Sequence, residues 1–132
     1  MEQVGEVELY ERLGGKPGLL RLLGYFYADV RQHQLIGPIF MEKIQDWPTH
    51  LEIIAGFWSG LTGGPSTYRG GMPMRHFPLK LEERHFEAWL TLWQHNCRAH
   101  LSTREAGDMI DLAGRIAARL RQILGVTSAG NT

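Results

Sequence analysis

From Ser102 onward the chain has almost no choice but to be helical. Met109, Ile110, Ala113, Ile116, Ala117, Leu120 and Leu124 recur at steps of three and four, which is the period of one helix face. Ser102-Thr-Arg-Glu105 ahead of them reads as a capping box: the serine caps one exposed N–H and the glutamate reaches back to another. A second stripe, Phe86, Trp89, Leu90, Trp93 and Cys97, predicts a helix from about Glu82 to Leu101. Its Glu82, Glu83, Arg84 and Glu87 point toward water. No segment alternates with period two and no repeat is present, so the fold class is all-α.

The first half supports the same class. Leu9 to Leu13 is a short helix that stops at Gly14-Gly15, where glycine accepts left-handed geometry. Pro17 opens the next helix, in which Leu20, Leu23, Tyr27 and Val30 share a stripe. Gly37-Pro38 ends that run, with Phe40 just past the break. Asp46 or Thr49 caps a further helix whose apolar face carries His50, Ile54, Phe57 and Leu61, flanked by Trp58. Gly63-Gly64-Pro65 closes it. Residues 62–81 form a Gly/Pro-rich connection that contains Tyr68, and structureless connections of this size are usually functional.

The 132 residues make one domain, 1–132, with 1–8 as an N-terminal extension and 126–132 as a frayed tail. Fourteen basic side chains balance fourteen acidic ones, so there is no basic footprint for nucleic acid. No apolar run spans a membrane, the first residues lack the pattern of a signal peptide, and the single Cys97 cannot form an intrachain disulfide. Together these features point to a soluble cytoplasmic protein.

Within the connection, Gly70-Gly-Met-Pro-Met-Arg-His-Phe-Pro78 clamps His76 between two prolines, among Met72, Met74 and Phe77. A histidine held stiffly among apolar groups suits an axial ligand to a flat apolar cofactor. A structural histidine with both nitrogens satisfied is the plainer reading of that residue taken alone. Tyr27, His50 and Trp89 lie on apolar faces of three other helices, and each alone could be an ordinary core residue. Their convergence suggests a cavity with donors on one side and a ligand to a metal on the other. A zinc or non-haem iron site at His95, Cys97 and His100 is disfavoured, since only positions 97 and 100 share a helix face. Cys97 more simply fills the core.

In this order and spacing, the chain resembles the truncated haemoglobins, the two-over-two globins of bacteria, from Leu9 to Leu124. Leu9-Tyr-Glu-Arg-Leu-Gly-Gly15 is similar to the family's opening. Phe26-Tyr27, Leu35 to Phe40, Asp46 to Leu51, Gly56-Phe-Trp58 and Phe86 to Leu90 are similar to group III, as is the segment around His76. Gly63 to Tyr68 and Arg75-His-Phe-Pro78 are closer to group II. Group III is the assignment.

The resemblance implies haem b, held non-covalently, with His76 as the proximal iron ligand. It implies a distal pocket of Tyr27, His50 and Trp89, with Phe40 wedged against the haem face. Ile54, Phe57, Trp58, Met72 and Phe86 would line the slot, and Arg75 and Tyr68 would hold the propionates. Covalent attachment through thiols needs Cys-x-x-Cys-His, and Cys97-Arg-Ala-His100 has one thiol.

The implied function is binding of O2, NO or CO at a pentacoordinate iron, with oxygen held tightly by pre-placed donors. The alternative is an enzyme for nitric oxide dioxygenation or peroxidase-like chemistry. That enzyme would be served by a separate reductase, because no flavin or nicotinamide domain is attached. A monomer or weak oligomer is expected, with no membrane or nucleic-acid partner.

Overall fold

The computed structural model describes residues 7–68, 70 and 80–126. His76, Met72 and Arg75 lie outside the described residues, as do residues 1–6 of the expected extension and 127–132 of the expected tail. Every regular element among the described residues is a helix: α1 (Leu9–Arg12), α2 (Gly15–Gln32), α3 (Gly37–Lys43), α4 (Trp47–Thr62), α5 (Glu83–His100) and α6 (Thr103–Leu124). The all-α expectation holds. Helix α2 packs on α4 and α5, and α5 packs on α6, so two helix pairs meet through the α2–α5 contact. No described helix is long and apolar enough to cross a membrane.

Local chemistry sets the helix boundaries. Gly14 takes a φ of +96° ahead of α2, a conformation cheap only for glycine. A Cβ on Gly18 would lie 1.8 Å from the Leu13 carbonyl oxygen, so α1 can rest on α2 only because that position is bare. Asp46 caps α4, accepting from the Thr49 N–H at 3.2 Å and from the Thr49 hydroxyl at 2.8 Å. Gly63, at φ +97°, ends it.

Four expectations need correction. Helix α2 stops at Gln32, earlier than Gly37-Pro38. His33 makes the stop: its Nδ1 accepts from the backbone N–H groups of Leu35 and Ile36 at 3.1 and 3.4 Å. Gly37-Pro38 instead opens α3, with the proline in the first turn, where its missing N–H costs nothing. Leu61 is 41% exposed, because the inward face of α4 is set by Ala55, Trp58, Ser59 and Thr62.

Glu83 does not simply face water. Arg121 binds both its oxygens, at 2.7 and 2.9 Å, and ties the first turn of α5 to the last of α6. The capping box at α6 is half made. The Ser102 hydroxyl accepts from the Glu105 N–H at 3.4 Å, but the Glu105 carboxylate turns to Arg12 at 2.6 Å and fastens α6 to α1.

The core centres on Trp93, which is fully buried. Its ring stacks on Trp58 with centroids 4.7 Å apart, takes Phe26 edge-on at 4.9 Å, and donates its N–H to the Met109 carbonyl at 2.9 Å. Cys97, one turn further along α5, is also fully buried, and burial pushes its thiol up to about 12.

Candidate functional site

A cavity of about 450 Å³ opens between the two helix pairs, within the ~300–1,000 Å³ typical of small-molecule and cofactor sites. Tyr27 reaches it from α2, Phe40 from α3, and His50, Ile54, Phe57 and Trp58 from α4. Tyr68 comes from the connection after α4, and Phe86 and Trp89 come from α5. Nine of the twelve residues singled out in the sequence thus stand around one space. The other three, Met72, Arg75 and His76, are those outside the described residues.

The backbone explains how these side chains meet. The His33 turn and α3 bring the Phe40 ring to 5.7 Å from Tyr27. After α4 the chain folds back along the helix. A Cβ on Gly56 would meet the Thr67 hydroxyl at 2.5 Å, and one on Gly60 would meet the Ser66 hydroxyl at 3.2 Å. The Ser59 hydroxyl holds the returning chain by donating to the Pro65 carbonyl at 2.6 Å. Tyr68 is thereby set 5.1 Å from Phe57.

One wall is polar. Tyr27 is 5% exposed, and burial drives its phenol well above the ordinary value of 10.0, with hydrogen bonding by the Trp89 side chain offsetting part of the shift. The phenol therefore keeps its proton across the physiological range and can donate it. The His50 ring lies 6.1 Å from Tyr27, nearly perpendicular to it. Apart from Lys43 and His85, the remaining wall is aliphatic and aromatic. Such a cavity can enclose a flat apolar group while offering hydrogen bonds to a small ligand on one side.

Sequence reasoning missed several residues here. Ile36, Ile39, Ile44 and Ile53 complete the α3–α4 side, and Leu81, Ile116, Ala117 and Leu120 the far end. Ile116 and Leu120 were legible as a helix stripe, but periodicity does not separate a side chain facing core from one facing a cavity. Lys43 and His85 also line the space.

Trp47 was legible only as part of a helix start. It packs behind the polar wall, 5.6 Å from His50 and 5.7 Å from Tyr27, under the Arg31 guanidinium. Its buried indole N–H has no hydrogen-bond partner among the described residues. Its place three residues before His50, on the same helix face, was the available signal. Among the described residues no group of three or more His, Cys, Asp or Glu is placed to hold a metal ion. His100 instead stacks on Tyr25 at 4.0 Å.

Comparison with known proteins matches residues 8–119 to the family model described as bacterial-like globin. A group 1 truncated haemoglobin of Nostoc is 29% identical over 82 residues, 61% of this chain and 67% of that protein. Among solved structures, the group III truncated haemoglobin of Campylobacter jejuni superposes with a TM-score of 0.77. It is 25% identical and covers 94% of each chain. The group II truncated haemoglobin of Bacillus anthracis gives a TM-score of 0.78 at 20% identity, over 98% of this chain and 100% of that one, a likeness of fold.

Proposed function

The chain belongs to the bacterial-like globin family, among the truncated haemoglobins, and on that premise we propose that it holds haem b non-covalently in the cavity and reversibly binds O2, NO or CO there. Haem supplies an iron that coordinates a diatomic gas. The residues present fit such a group. Phe40, Ile54, Phe57, Trp58, Phe86 and Leu120 offer apolar walls, and the donors Tyr27, His50 and Trp89 gather on one side. Cys97, the sole cysteine, is fully buried and is not part of the cavity wall, which favours non-covalent retention.

The observation that carries this reading is the buried, protonated phenol of Tyr27 beside Trp89 and His50. In the proposal Tyr27 donates its O–H to a gas ligand that takes on partial negative charge. Trp89 orients that phenol by hydrogen bonding to its oxygen, and His50 closes the same wall. Phe40 and Phe57 hold the flat group in place, and Tyr68 and Arg75 serve its carboxylates. His76 would hold the iron through its imidazole and leave the metal able to take a gas ligand. The aliphatic far end offers the same group further apolar surface. We expect slow oxygen release, and we expect the protein to work in the cytoplasm.

Absorbance spectra of the purified protein test this, taken oxidised, reduced and with carbon monoxide. An intense Soret band that moves with carbon monoxide is expected, and the His76→Ala variant should lose the imidazole-ligated spectrum. A flat visible spectrum after incubation with haemin would remove the reading. Sustained turnover of nitric oxide or peroxide with an added reductant would move it to an enzyme served by a separate reductase.

A further inference from the structure

His85 lines the cavity, yet the roles proposed so far leave it idle. It sits half-buried in the first turn of α5, where its Nδ1 accepts from the Glu82 backbone N–H at 2.8 Å. A neutral imidazole has one acceptor nitrogen and one donor nitrogen. Accepting at Nδ1 therefore leaves the proton on Nε2, at the other edge of the ring, with the ring orientation fixed by the first bond.

Haem carries two carboxylates on an otherwise apolar disc. An apolar cavity has to leave them where donors can reach them, because an unpaired buried charge is costly. No Asp or Glu is among the described wall residues to repel them. The acids beside His85 are already engaged, Glu82 with Arg84 at 3.2 Å and Glu83 with Arg121 at 2.7 Å. We propose that His85, through its fixed Nε2–H, binds a carboxylate of the cofactor and so helps to set how tightly haem is held. This assignment rests on the haem reading. It gives a function to a residue that no sequence motif marked.

The test compares haemin with haemin dimethyl ester, which has the same ring and no free carboxylate. The full chain, stripped and reconstituted with each, is mixed with an excess of a haem-scavenging apoglobin, and release is followed at the Soret band. The wild-type protein should release the ester on the order of tenfold faster than haemin, the size of one hydrogen bond to a charged group.

Two variants separate anchoring from capping. His85→Asn keeps an acceptor near Nδ1 for the Glu82 N–H but loses the reach of Nε2, and its ester-to-haemin ratio should fall several-fold below that of the wild type, leaving the share of Tyr68 and Arg75. His85→Gln places an amide N–H near Nε2, and its ratio should stay close to that of the wild type. A ratio unchanged in His85→Asn overturns the proposal, whatever Lys43→Met or Tyr68→Phe does to it. A wild-type chain that takes up neither compound overturns the haem reading, and this assignment with it.

Discussion

Trp89 and Trp93 stand one turn apart on α5, with ring planes 3° from parallel, yet they belong to two different regions. Trp93 is sealed in the core, and its N–H is satisfied by the Met109 carbonyl at 2.9 Å. Trp89 is half-buried at the cavity wall, and its polar influence falls on the Tyr27 phenol. The same residue type thus serves two ends. A core indole finds a backbone carbonyl and drops out of the chemistry. A cavity indole acts on another side chain that still has a proton to give.

The sharpest way to break that division is to empty the core position. Trp93→Ala should cost about 3–5 kcal/mol in stability, the loss typical of a large buried aromatic. Urea unfolding of the reconstituted protein measures it. A loss below about 2 kcal/mol would show the stack closing around the gap and would blur the distinction.

On the cavity side the effect should appear in ligand kinetics. Tyr27→Phe removes a donor to a charged acceptor worth about 1.5–3 kcal/mol, so oxygen release should quicken roughly ten- to a hundredfold in stopped-flow displacement. Trp89→Phe should quicken release by less, within about tenfold, because its N–H works through the phenol. Release from the double variant should then match that of Tyr27→Phe alone, since the two residues act in series. Independent, additive effects would mean that both donate directly.

A further expected effect is on alkaline stability. Cys97 and Tyr27 are neutral acids whose protons are held more tightly in the folded chain, against ordinary values of 9.0 and 10.0. Above those values the unfolded chain gives up protons that the folded chain keeps, so stability falls as pH rises. Urea midpoints should decline from about pH 8 to about pH 11. Cys97→Ala should flatten the earlier part of the decline and Tyr27→Phe the later part. A midpoint that stays level would argue against burial as the cause.

Much of the fold was legible because it rests on periodicity and capping. The α5 and α6 stripes, the Asp46 cap and the Gly63 stop all follow from local rules. The Gly37-Pro38 boundary was not legible in direction, because a proline marks the start of a helix as readily as the approach to its end. What decided it was His33, whose imidazole capping of two N–H groups leaves no periodic trace. Glu83 and Glu105 were misjudged for a related reason. Their partners Arg121 and Arg12 are far off in sequence, and one-dimensional patterning is blind to such pairs.

At the site, Tyr27, His50 and Trp89 were legible because they set polar atoms on apolar helix faces, whereas the places of Phe40 and Tyr68 came only through the family resemblance. Ile116, Ala117 and Leu120 were hidden among identical core residues, since nothing in an aliphatic side chain distinguishes a packed neighbour from empty space. His85 was hidden because its ring both caps a helix and borders a cavity.

Helix α4 presents no side chain at Gly56 or Gly60, and the returning chain rests on those bare positions. The cavity consequently draws twice on one short stretch, at Phe57 on the outward pass and at Tyr68 on the way back. A methyl group introduced at 56 would touch no guest molecule, yet it would shoulder Thr67 aside and carry the neighbouring tyrosine with it. Affinity in this scaffold is therefore open to drift at sites that never meet what is bound, and a survey confined to the lining would overlook the quietest route by which it changes.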